Sequence, residues 1–160
     1  GITIVAEYKW PFDHALPQLK FHGGLHHAKW LAKLLTRQLE HLPWSDIDMI
    51  CPIPLHKQRL SERGYNQSEA LCHWLSCDLP IIHLLTRNKR TKAQSELSRK
   101  GRLKNIKNAF ECRSNLTGKK ILLVDDVLTT GATIDEAALT LKSAGATAVY
   151  VAAVAIRLMK

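Results

Sequence analysis

Two adjacent acids, Asp125 and Asp126, stand at the end of the apolar run Ile121-Leu122-Leu123-Val124, and after Val127 and Leu128 come Thr129, Thr130, Gly131, Ala132 and Thr133. Four apolar residues in a row suit a strand covered on both faces, and the acids would then lie at its tip, where α/β folds place ligands. The threonine hydroxyls and the backbone N–H groups of a helix's first turn favour an anion. One ligand satisfies both halves. A ribose 5-phosphate would donate its 2′ and 3′ hydroxyls to the carboxylates and seat its phosphate in the threonine-glycine loop. A plainer reading, in which the acids cap a helix and the threonines are turn residues, uses the same local rules.

A second stretch has the chemistry for a polyphosphate. His56, Lys57, Arg59 and Arg63 follow Ile47–Ile53, which is expected to be a strand, and precede a helix expected near Asn66 with Glu69 three residues on. Residues 87–105 form a third, with Arg87, Lys89, Arg90, Arg99 and Arg102 among many positive charges and almost no acid. Such a segment repels itself without an anion, so a basic loop that orders over a polyphosphate and a nucleic-acid-binding arm are both consistent with it. The segment has no aromatic residue, which disfavours a stacking platform for single strands.

The elements that position these groups follow from periodicity. Leu16 and Leu19, then Trp30, Leu31, Leu34, Leu35 and Leu39, recur at helical spacing on either side of Gly23-Gly24 and predict a short helix and a longer amphipathic one. His22, His26 and His27 surround that break without a carboxylate or cysteine at ligand spacing, so a packed or solvated role is expected. Strands are predicted over 79–85 and 148–156, and a helix from Ile134 to Gly145. Strand, helix and strand within the last forty residues make a βαβ unit, hence a parallel sheet with a right-handed crossover.

The chain of 160 residues is expected to form one domain, with a helical segment over 1–45 and a core over 46–160. Its formal charge of +9 calls for a polyanionic partner: phosphorylated sugar, pyrophosphate or nucleic acid. Cys51, Cys72, Cys77 and Cys112 lack a C-x-x-C spacing and are expected to be reduced. No apolar run reaches a membrane-spanning length and no signal peptide is visible, so a cytoplasmic location without membrane insertion is expected.

The acid pair, two aliphatics and Thr-Thr-Gly-Ala-Thr resemble the 5-phosphoribosyl 1-pyrophosphate (PRPP) motif of the type I phosphoribosyltransferases. Together with Pro52-Ile53-Pro54-Leu55-His56, Arg63-Gly64-Tyr65-Asn66-Gln67, Gln94, Leu97 and Arg99, they make the chain similar to the competence protein F (ComF) family. That resemblance implies an α/β fold, a parallel central sheet flanked by helices with a mobile basic loop over the site. It implies that Asp125 and Asp126 hold the ribose, 129–133 the 5-phosphate, and His56, Lys57, Arg59 and Arg63 the pyrophosphate. Magnesium would be carried by the substrate with no protein ligand assigned. The implied chemistry is transfer of a phosphoribosyl group to an unidentified nitrogenous acceptor; members acting on 6-oxopurines have a carboxylate where Thr129 stands. The resemblance also implies a link to DNA uptake, with single-stranded DNA or uptake proteins as further partners. A non-catalytic nucleotide sensor or single-stranded-DNA-binding accessory protein is the competing expectation. Members of the family usually carry an upstream zinc-ribbon-like module, which these 160 residues do not include.

Overall fold

The computed structural model describes residues 1–20, 24–40, 46–89 and 106–158. In chain order the elements are β1 (Ile2–Glu7), α1 (Phe12–Gln18), α2 (His26–Leu39), β2 (Met49–Pro52), α3 (Lys57–Arg63) and α4 (Gln67–His73). They continue with β3 (Thr86–Arg87), β4 (Phe110–Glu111), β5 (Lys120–Leu128), α5 (Ala132–Ser143) and β6 (Ala148–Ile156). The main sheet has the order β1-β6-β5-β2, and every pairing in it is parallel. β3 and β4 form a separate antiparallel pair.

Alternation along β5 explains the layers. Ile121 and Leu123 join a core with Ile134, Ala137 and Leu141 of α5, while Leu122 and Val124 join a core with Leu31 and Leu35 of α2 and Leu71 of α4. Successive strand residues point to opposite faces, so an unbroken apolar run fills both layers. The result is the expected parallel sheet with helices on either face. No helix among the described residues is long and apolar enough to cross a membrane.

Four expectations need correction. The 1–45 segment is not wholly helical: Ile2–Glu7 is an edge strand paired with β6. Its β-branched residues suit a strand, but only β6 supplies the hydrogen-bonding partner. The strand expected over 47–53 is confined to Met49–Pro52. The strand expected over 79–85 is reduced to one bridge, Ile81 to Ile50, because Pro80 brings no N–H to a ladder; Ile50 N–H donates to its carbonyl instead. Finally, 57–63 is a helix and not a loop. His56 Nδ1 caps it by accepting from Gln58 N at 3.3 Å, and Gly64, at φ 84°, closes it with a bond to Leu60 O.

His27 has the packed role expected of the histidines at the glycine break. It bonds Gln18 Oε1 at 2.8 Å and accepts from Trp30 Nε1 at 2.9 Å. His22 lies outside the described residues. Cys51 and Cys72 are buried free thiols, and burial pushes both up from the ordinary thiol range, Cys51 to about 11.

Candidate functional site

β5 does not stop at its acids. It continues through them to Leu128, so Asp125 and Asp126 are within the strand at 9% and 5% exposure, not at a wetted tip as their charge suggests. Burying two carboxylates demands hydrogen bonds. Asp125 Oδ1 accepts from Asp126 N at 2.9 Å and from Ser68 Oγ at 3.1 Å. Asp126 Oδ1 accepts from Val127 N at 2.9 Å, while its Oδ2 meets Gln67 Nε2 at 3.5 Å and Lys20 Nζ at 3.4 Å. Even so, loss of water and then repulsion by Asp126 push the Asp125 carboxyl up to about 8. Burial therefore favours the protonated form of Asp125 near neutral pH.

These acids face a cavity of about 280 Å³ at the carboxyl ends of the sheet strands. Thr129, Gly131 and Thr133 line it. Gly131 takes φ 77° at the N-terminus of α5, a left-handed conformation in which glycine avoids the steric cost of a side chain. Thr130 turns inward to its own loop, its Oγ1 3.4 Å from Ala132 N, and Ala132 is buried. Arg59 and Arg87 also line the cavity. Burial weakens the hold of Arg87 on its proton, but arginine stays charged throughout the physiological range.

The other sequence-selected cations are elsewhere. His56 is occupied as a helix cap, Lys57 is exposed, and Lys89 Nζ bonds Lys107 O at 2.5 Å. Arg63 bonds Gln67 Oε1 and does not line the cavity. Arg90, Arg99 and Arg102 lie outside the described residues.

Five lining residues were given no site role from the sequence: Tyr8, Lys20, Gln67, Ser68 and Arg157, although Gln67 ends one of the motifs that carry the family resemblance. Tyr8 and Arg157 each follow a strand, β1 and β6. Tyr8 N–H bonds Ile156 O at 2.7 Å, Arg157 N–H bonds Leu128 O at 2.8 Å, and the guanidinium of Arg157 rests 4.3 Å from the Tyr8 ring centre. Recognising β1 would have pointed to Tyr8; nothing local marks Lys20. Gln67 and Ser68 follow the helix cap Asn66, whose Oδ1 accepts from Ser68 N at 3.0 Å and whose Nδ2 donates to Ile53 O at 2.9 Å.

The description "Phosphoribosyl transferase domain" belongs to a family model that matches residues 68–158. The chain belongs to that family. Its relatives place it with the competence protein F group. "DNA utilization protein YhgH" of Escherichia coli (strain K12) is 36% identical over 162 residues, covering 94% of this chain and 69% of the relative. "Competence protein F" of Haemophilus influenzae (strain ATCC 51907 / DSM 11121 / KW20 / Rd) is 34% identical over 159 residues, covering 90% and 67%. Among solved structures, a purine phosphoribosyltransferase from Pyrococcus horikoshii Ot3 aligns with 97% of this chain and 78% of its own, at 18% identity and a TM-score of 0.49. The family match begins at Ser68 and so takes in both acids, the threonine-glycine loop, Arg87 and Arg157, while Tyr8, Lys20, Arg59 and Gln67 come from before it.

Proposed function

We propose that this chain binds PRPP in the cavity lined by Arg59 and Arg87 and transfers its phosphoribosyl group to a nitrogenous acceptor. The observation that carries the reading is the convergence on one cavity of a buried acid pair, a threonine-glycine loop and two arginines. Asp125 and Asp126 accept from the ribose hydroxyls, and Thr129, Gly131 and Thr133 hold the 5-phosphate. Arg59 and Arg87 neutralise the pyrophosphate as the C1–O bond breaks and it departs with the bonding electrons. The acceptor nitrogen forms the new bond to C1, and its proton passes to the departing pyrophosphate.

Magnesium fits this donor set. Two carboxylates offer the hard oxygens it prefers, and no group of three or more ligating side chains among the described residues would cage it, which leaves substrate phosphates to complete its shell. When bound, it would supply charge neutralisation at the pyrophosphate. The protein's own contribution is to desolvate and orient the reacting end, where fixed charges act more strongly than in water.

Titration calorimetry of magnesium-PRPP into the chain tests the reading, with the Asp125→Asn, Asp126→Asn double variant as control. Binding by the parent and none by the folded variant is the expected result. A folded parent that binds nothing overturns it. The names of the relatives, together with the charge of +9, favour one further link, to DNA uptake or utilisation. Under that second reading single-stranded DNA binds the basic surface, with an affinity that falls steeply as salt is added and survives Asp125→Asn.

A further inference from the structure

Arg63 ends α3, immediately before the left-handed Gly64, and its Nη1 donates to Gln67 Oε1 across the corner into α4. Gln67 is 6% exposed, and its Nε2 reaches Asp126 Oδ2. Arginine carries only donors and an ionised carboxylate only acceptors, so an amide between them has one satisfying orientation. Its oxygen must face Arg63 and its NH2 must face Asp126. The reverse would set donor against donor at one end and acceptor against acceptor at the other. Arg59, one helical turn earlier, lines the cavity, whereas Arg63 does not.

We propose that Arg63 and Gln67 are positioning residues for the ribose end of the site, with Arg63 acting on Asp126 through the Gln67 amide and not on pyrophosphate. The proposal rests on the reading of Asp126 as a ribose-binding acid. Asp126 has one oxygen held by the backbone of Val127 and the other by side chains alone, Gln67 and Lys20. The direction of that second oxygen is therefore set by side chains from before the family-matched region. The charge of Asp126 in turn favours the charged form of Arg63, against the effect of burial. Asn66 anchors the assembly by fixing the start of α4 to Ile53, at the carboxyl end of β2.

A double-mutant cycle in the full chain tests this. Arg63→Met keeps most of the apolar stem, and Gln67→Leu keeps the volume without the amide. Magnesium-PRPP affinity is expected to fall about tenfold in each single variant, and the double variant is expected to be no weaker than Gln67→Leu alone. Arg63→Lys, which retains a donor, should recover most of the loss. An Arg63→Met effect that persists in full when Gln67 is leucine would overturn the proposal and assign Arg63 a direct phosphate contact. Two unaffected single variants would overturn it as well.

A second readout needs no ligand. The carbon resonance of the Asp126 carboxyl should move on Arg63→Met in the parent and move much less in the Gln67→Leu background, where only the direct charge effect of Arg63 remains, a dependence that loss of stability alone does not produce. Equal movement in both backgrounds sinks the relay. If the parent fails to bind magnesium-PRPP, the function reading falls while this resonance still decides the relay. Gln67→Met provides a further variant where Gln67→Leu folds poorly: it fills a similar volume without either amide group and should likewise shrink the Arg63→Met shift of the Asp126 resonance.

Discussion

Replacing Asp125 with asparagine should change how the ligand-free protein's stability depends on pH. Burial and the neighbouring Asp126 raise the folded-state pKa of Asp125 to about 8, against about 4 in an unfolded chain. The sign follows from proton counting. Below about pH 4 both states carry the proton and this group's contribution is fully present. Between about 4 and about 8 the folded state holds a proton that the unfolded state lacks, so stability falls as pH rises, by about 1.4 kcal/mol per pH unit. With a urea dependence of about 2 kcal/mol per molar, the unfolding midpoint should drop by about 0.7 M per pH unit. Asp125→Asn cannot bind that proton, and its amide oxygen can still accept from Ser68 Oγ and Asp126 N. The variant's midpoint should therefore lie below or near the parent's at pH 5 and well above it at pH 8. His27, whose pKa burial lowers first of all, contributes a trend of opposite sign; both proteins share it, so the difference between their curves isolates Asp125. Urea unfolding at pH 5, 6, 7 and 8, at constant ionic strength and without magnesium, measures that difference. Parallel curves would refute the claim that buried Asp125 holds a proton near neutrality.

Other substitutions probe the framework of the site. Gly145→Ala should cost about 2–3 kcal/mol by thermal or urea unfolding, because φ is 105° and a Cβ would lie 2.9 Å from Thr117 N. Asn66→Ala removes the cap on α4 and the tie to Ile53 O; about 2 kcal/mol of stability should go, with a weaker magnesium-PRPP titration. Gly131→Ala meets only an ordinary contact, 3.6 Å to Asp135, so its effect should be the cost of the left-handed backbone alone, about 1 kcal/mol, again read by urea unfolding. Leu122→Ala, at a fully buried position of β5, should lose about 2–5 kcal/mol in the same assay.

Particular residues show where sequence reasoning reached and where it stopped. β6 was legible to its ends, Ala148 and Ile156, since its residues are apolar throughout and stop abruptly. α2, α4 with its Asn66 cap and α5 were also visible from periodicity and capping chemistry. Residues 57–63 were misread because basic charge invited a loop, although Lys, Gln, Arg, Leu and Glu are all good helix formers. β1 was missed because six residues near a terminus carry little periodic signal, and pairing with β6 alone makes them a strand.

Sequence alone determined the local chemistry: two acids after an apolar run, hydroxyls and a glycine at a helix start, and the basic runs that call for an anion. These signals act over a few residues, within the reach of backbone geometry and capping. Tertiary structure decided the environment of that chemistry. It buried Asp125 and Asp126, brought Ser68 and Gln67 to them across 57 and 59 residues, and laid Arg157 on Tyr8 from opposite ends of the chain. It also separated Arg59, on the cavity wall, from Arg63, which turns to Gln67. Burial and long-range hydrogen bonds depend on which segments the folded sheet makes neighbours, and residue spacing does not contain that information.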